Sequence, residues 1–170
     1  MKFIAVLTLS LMSSLSFAQT KVIQTEDYIK AELTADDSNL LYHSMMVEPT
    51  LEFQRNIKGI QTHDGIVKLQ CELSTLLTAR DAKCSLELSK MPAREQSTSI
   101  IEDDVSYIAK VDTYHEAESI FSKFNFDEMR GANGIARFYF SDDMKVQVNC
   151  MHLTKNGSDE YSCQFGIQKN

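Results

Sequence analysis

Residues Val146–Gln168 read VQVNCMHLTKNGSDEYSCQFGIQ, and this stretch decides the fold. Asn156-Gly157 is the strongest short hairpin signal a sequence offers, because a type I′ turn needs positive φ at both central residues. On one side Val146, Val148 and Cys150 alternate with Gln147 and Asn149; on the other Cys163, Phe165 and Ile167 recur at every second place. That alternation predicts two half-buried strands with the cysteines on the buried face. Residues opposed across the turn have numbers summing to 313, which sets Cys150 against Cys163 and His152 against Tyr161. Counting outward from Lys155–Ser158, every second pair is not hydrogen-bonded, and Cys150–Cys163 is one of these. Side chains approach closest in such pairs, so a cross-strand disulfide fits there.

The same spacing occurs upstream: Cys71 and Cys84 are 13 residues apart, as are Cys150 and Cys163. Displaced by 79 residues, the chain lies on itself without a gap from Tyr28–Lys90 to Tyr107–Lys169, Tyr28-Ile29 falling on Tyr107-Ile108. Only 9 of 63 positions are identical, too few to prove a duplication by count. The matches fall where a fold needs them. Thr34 and Thr113 stand at helix N-caps, with Asp37 and Glu116 three residues on. Glu116 completes the sequence pattern of a capping box, and Asp37 is a shorter version of it. Ser38, Leu41, Tyr42 and Met45 then make one apolar helical stripe, and Ala117, Ile120, Phe121 and Phe124 make its copy. Val67, Leu69, Cys71 and Leu73, answered by Cys84, Leu86 and Leu88, give the first hairpin, with a longer loop around Thr75–Lys83.

Short strands are expected at Tyr28–Leu33 and Tyr107–Val111 before the helices, and at Phe53–Gln61 and Gly134–Ser141 after them. The expected architecture is α+β: two tandem repeats, each strand, helix and three antiparallel strands, a helix covering one sheet face, with one cross-hairpin disulfide. The divisions are a signal peptide over residues 1–18, a first repeat over 19–90, a linker over 91–102 and a second repeat over 103–170. Each disulfide closes a loop of about 14 residues, a length worth roughly 3 kcal/mol in the chain-entropy model. Such staples matter for small units.

Lys2, the apolar run Phe3–Leu11 and the small residues of Ser16-Phe17-Ala18 form the pattern of a cleaved secretory leader. Cleavage leaves Gln19–Asn170, 152 residues with a net charge of −8. The chain is expected to be secreted or periplasmic, with no stable membrane insertion after cleavage. An acidic chain argues against nucleic acid and anionic membrane surfaces as partners. Four cysteines in an exported protein read as two disulfides; zinc sites usually bring cysteines within two to four residues of one another. The absence of Trp weakens the case for a sugar-stacking platform.

No Gly-x-Ser-x-Gly elbow, His-Glu-x-x-His helix or phosphate-binding glycine loop occurs in the sequence. His43 lies off its helical stripe, His63 in a turn, His115 in a first helical turn, and His152 beside the second disulfide as a packing partner of Tyr161. Asp36-Asp37, Glu102-Asp103-Asp104 and Asp142-Asp143 read as solvated charge at a cap, a linker and a turn. No catalytic residue, metal or cofactor is expected. The strand–helix–three-strand unit resembles the cystatin layout at the level of architecture, and the tandem of small disulfide-bearing units resembles the general plan of β-lactamase inhibitor proteins. The Gln-x-Val-x-Gly inhibitory loop of cystatins is missing, so no functional residue is carried over. The expected function is non-enzymatic binding or inhibition, with an extracytoplasmic protein as partner. The alternative is an envelope-associated hydrolase built from scattered carboxylates and His. Met151 and Leu153, which replace Glu72 and Ser74 on the polar strand face, are the candidate anchors.

Overall fold

The computed structural model describes residues 19–46, 57–74, 81–90, 97–124 and 143–170, and the backbone of 130–131 and 134–140. The expected leader and its cleavage site lie outside these residues. Among the described residues there are two antiparallel sheets and two helices. The first sheet has the order β1 (Lys21–Gln24), β2 (Tyr28–Glu32), β5 (Ala82–Ser89), β4 (Val67–Leu73), β3 (Ile57–Gln61). The second has the order β6 (Thr98–Glu102), β7 (Ser106–Val111), β11 (Ser158–Gln168), β10 (Val146–Lys155), β9 (Gly134–Phe140), β8 (Arg130–Gly131). Helix α1 (Ala35–Ser44) packs on β5 and β4, and α2 (Tyr114–Ser122) packs on β11, β10 and β7. Among the described residues no helix is long and apolar enough to cross a membrane.

The α+β plan of two similar halves holds, and so do both disulfides, Cys71–Cys84 and Cys150–Cys163. In each pair the cysteines face one another directly, with Cα atoms 4.0 and 4.1 Å apart, the close spacing of a non-hydrogen-bonded pair. Asn156 and Gly157 have φ of 53° and 79°, and Lys155 pairs with Ser158. The helical stripes are buried as expected: Ser38, Leu41, Tyr42 and Met45 in α1 and just after it, Ala117, Ile120 and Phe124 in α2 and just after it, with Phe121 half-buried against the core.

Four sequence expectations change. Each unit opens with a strand the sequence reading lacked, β1 and β6, so each is a hairpin, a helix and a further meander. Strand β6 occupies the end of the stretch read as linker, where its Ser and Thr hide a short pairing segment. The match between units is not gapless. Ile29 pairs with Leu88, and its counterpart facing Ile167 is Tyr107, not Ile108. Up to the end of β2 and β7 the units are therefore related by 78 residues, and from the helices onward by 79. Asp112 is the added residue between β7 and the Thr113 cap. Because a one-residue slip reverses the face of every side chain, the identical Tyr-Ile pairs point oppositely: Ile29 and Tyr107 are buried, while Tyr28 and Ile108 are half-exposed on the other face. Glu116 closes no capping box: Thr113 makes no side-chain bond to a helix amide, and Glu116 reaches instead to the His63 backbone N–H and the Ser97 hydroxyl. Thr34 does cap its helix, accepting from the Asp37 N–H at 3.2 Å and donating to its carboxylate at 2.8 Å.

The buried side chains of both units form one contiguous core. An approximate two-fold axis relates the halves. Met45 and Phe124, equivalent residues just past the two helices, bridge each other antiparallel, and a pairing between equivalents is itself a local two-fold. The contacts β5–β7 and β2–β11 exchange under the same operation. Asp64 and Asp143 do likewise. Asp64 Oδ2 accepts from the N–H of Ser97, which leads into β6, and Asp143 Oδ2 accepts from the N–H of Thr20, which leads into β1. Each turn aspartate thus anchors the first strand of the opposite unit. The match of Lys90 and Lys169 gains a reason too: their ammonium groups donate to the carbonyls of Thr25 and Asp103, in the first hairpin turn of each unit.

Candidate functional site

The residues singled out from the sequence disperse over the fold. His43 is solvated. His63 and His115, both exposed, come together along a crevice of about 480 Å³ between the units. The acid of that crevice, Glu116, is engaged by the His63 N–H and Ser97. The paired carboxylates do more than carry solvated charge. Asp37 is buried against Thr34, and Asp103 accepts from the N–H groups of Val105 and Ser106 at 2.9 and 2.6 Å. Those bonds hold the Asp103 carboxyl below its ordinary range. Glu102 is lowered in the same direction by its bond to Lys169, at 2.8 Å. No group of three His, Cys, Asp or Glu among the described residues is arranged to hold a metal ion.

The second unit differs from the first at the far end of its main hairpin. Strand β7 ends opposite Cys163, because the chain then enters the Thr113 cap of α2. Strands β10 and β11 continue beyond that point as an arm to Lys155 and Ser158, with β9 paired along the other side of β10 as far as Leu153. On the helix side of this arm, His152 stacks on Tyr161 with ring centres 4.4 Å apart and planes 7° from parallel, the partner expected from the sequence. Phe121 and Tyr114 of α2 close edge-on around the pair, at 5.8 Å from His152 and 5.4 Å from Tyr161 respectively. His152 Nε2 lies 3.0 Å from Asp159 Oδ1, which also accepts from the Thr154 hydroxyl at 2.7 Å. The Thr154 bond and the adjacent His152 ring lower the Asp159 carboxyl. Burial, with the charges of Asp159 and Glu118 adding to it, raises the Tyr161 phenol. On the opposite side of the arm stand Met151 and Leu153, both half-buried. The counterparts of His152, Tyr161 and Tyr114 in the first unit are Leu73, Ala82 and Ala35, so the aromatic group belongs to the second unit alone.

The backbone of the arm is also distinctive. In β11 the residues of non-hydrogen-bonded pairs, Cys163, Tyr161 and Asp159, turn their N–H and C=O groups away from β10. Cys163 meets Val111 of β7, but Tyr161 and Asp159 have no strand beyond them among the described residues. The first unit closes the same edge. The Cys84 N–H donates to Ser38 Oγ at 3.0 Å and the Ala82 N–H to Asn39 Oδ1 at 2.8 Å. Ala117 and Glu118 hold those two places in the second unit, and neither makes the corresponding bond. Sequence reasoning missed this edge, although its signal was present in the Thr113 cap that stops β7 short.

The first unit carries a groove of about 740 Å³ along its outer sheet face. There Lys30 faces Glu87 and Glu87 faces Lys68 across adjacent strands. Opposite charges directly across a sheet satisfy one another, and the groove reads as a balanced, solvated surface. The chain matches no family model, no curated protein and no solved structure.

Proposed function

We propose that this is an exported, non-enzymatic binding protein of the periplasm or exterior, and that its contact surface is the β10–β11 arm of the second unit. The observation that carries the reading is the one-sided divergence of a duplicated scaffold. The arm acquires Met151 and Leu153 on one side and the Tyr114–Tyr161–His152 group on the other, where the first unit keeps Glu72, Ser74, Ala35, Ala82 and Leu73. Aromatic residues and Met are the types enriched at protein interfaces. Two disulfides suit an oxidising compartment.

A photo-crosslinking residue at Leu153, with the same residue at Glu72 as control, tests the proposal in the native envelope. A discrete protein adduct is expected at 153 and not at 72. In the otherwise unmodified chain, the double change Met151→Ser with Leu153→Ser should abolish co-purification of that same protein at an unchanged melting temperature. A large fall in stability would place both residues in the core. Turnover of glycan or peptide that co-purifies with the protein and disappears with Asp159→Asn would favour the envelope hydrolase instead.

A further inference from the structure

We propose that the partner is held as an extended, basic segment, added as a strand to the open edge of β11 at Ser158–Ser162. This rests on the reading of the arm as the contact surface and specifies what the arm takes. A free strand edge is a template for another strand: main-chain bonds supply affinity, and alternate side chains supply selectivity. The edge offers the N–H and C=O groups of Asp159 and Tyr161, a repeat that an antiparallel strand matches residue for residue. An incoming chain places every second side chain on the helix side, beside Tyr161 and Tyr114, whose ring faces attract cations.

Charge selects the occupant. Asp159 and Glu160 lie on the edge itself and Glu118 beside it, and the fields of Asp159 and Glu118 both reach the phenols of Tyr114 and Tyr161. Two copies of this chain paired antiparallel edge to edge would crowd Asp159, Glu160 and Glu118 of both chains along one seam, with Asp159 or Glu160 facing its own equivalent according to register, and like charges facing across strands destabilise a sheet. Lys or Arg at alternate positions of a partner, on the helix side, meets Asp159, Glu118 and the aromatic faces together. The sealed counterpart in the first unit, where Asn39 and Ser38 consume the edge donors, takes no strand.

The probe is an octapeptide of alternating Lys and Val, capped at both ends, added to the full mature chain. Comparators are the Glu-Val octapeptide and a Lys-Val octapeptide N-methylated at alternate residues, which loses its edge donors. Amide exchange is read by NMR. Without peptide, the Asp159 and Tyr161 amides should exchange far faster than those of Ala82 and Cys84. The Lys-Val peptide should slow both at least tenfold, and neither comparator should. Equal protection by the acidic peptide would overturn the charge argument, and equal protection by the N-methylated peptide would overturn strand addition. Protection that rises with protein concentration alone would make a second copy the occupant. A crosslinked partner at Leu153 with unprotected edge amides would leave the arm as the contact surface and overturn the strand. Loss of both would remove the arm as well.

Discussion

Asn39 and Glu118 stand at the same place on two equivalent helices, and the strand edge beside them is closed in one unit and, among the described residues, open in the other. The interior shows no such contrast. Leu41 and Ile120, the two cysteine pairs and the turn aspartates Asp64 and Asp143 play matching parts on both sides of the two-fold. The duplicated scaffold has kept what holds each sheet to its helix and each unit to the other. It has changed at the end of the second hairpin, where a side chain alters exposure and recognition at little cost to packing. Sameness and difference are both measurable.

The largest effect should come from the shared interior. Leu41 and Ile120 are 2 and 1 % exposed, and an aspartate at either place is an unpaired charge without water. Leu41→Asp and Ile120→Asp should each cost more than about 4 kcal/mol. Because the core is contiguous, each should unfold both units. Far-UV ellipticity and the near-UV signal of the tyrosines should disappear in one transition. A Leu41→Asp variant that kept the tyrosine signal of the second unit would show two independent cores and break the comparison.

Next are the staples. Replacing Cys71 with Cys84, or Cys150 with Cys163, by Ala should cost on the order of 2–5 kcal/mol, and nearly the same in each unit, because the two bridges close loops of equal length at equivalent places in the register. Denaturant midpoints of the two double variants would measure this. A difference above about 2 kcal/mol would mean that one staple also restrains the arm.

Asp64 tests the link between units. Its two oxygens accept from the Thr62 hydroxyl, the Ile66 and Ser97 N–H groups and the Ser97 hydroxyl. Burial opposes the charge, but these bonds outweigh it, and the carboxyl is lowered. A carboxyl lowered by folding stabilises the native state above its unfolded value, about 3.9. That contribution fades as pH falls through the lower folded value. Asp64→Asn turns an amide donor toward groups that are themselves donors, and should cost about 1–3 kcal/mol at neutral pH. The difference from the parent should shrink below pH 4. Melting temperatures of the two proteins between pH 2 and 7 supply the check; a constant gap would leave Asp64 without a role as an ion.

Most of this fold was legible because hairpins obey arithmetic. Asn156-Gly157 fixes a register, the register fixes which cysteines meet, and the helical stripes show which face covers them. What escaped the reading had weak local signals. In Tyr28-Ile29 and Tyr107-Ile108 both residues of each pair are apolar, so alternation does not choose a face, and identity suggested a match that pairing reverses. Strands β1 and β6 are four and five residues long, too short for a period to be seen. Glu116 carries the sequence of a capping box, but its carboxylate finds donors across the unit interface, a contact no local window contains. The candidate site was half visible. The His152–Tyr161 pair followed from the turn, whereas the open edge depends on where the neighbouring strand stops.

The smallest effects belong to that edge, and they separate the two units most sharply. Asn39→Ala removes the acceptor of the Ala82 N–H. The bond is part-buried, so the loss should be about 1 kcal/mol, the ordinary net worth of one hydrogen bond. Glu118→Ala removes no such bond and should stay within about 0.5 kcal/mol of the parent. Exchanging the residues is more informative than deleting them. Glu118→Asn places on α2 the amide that closes the first unit, within reach of the strand it faces. It should slow exchange of the Tyr161 amide several-fold, leave the melting temperature almost unchanged, and weaken binding of the Lys-Val octapeptide, both by occupying an edge donor and by removing a carboxylate. Asn39→Glu in the first unit should free the Ala82 amide without conferring peptide binding, because Ala35 and Ala82 supply no aromatic faces. If Asn39→Glu alone made the first unit bind, backbone exposure would be sufficient, and the Tyr114–Tyr161–His152 group would have no part in choosing the strand.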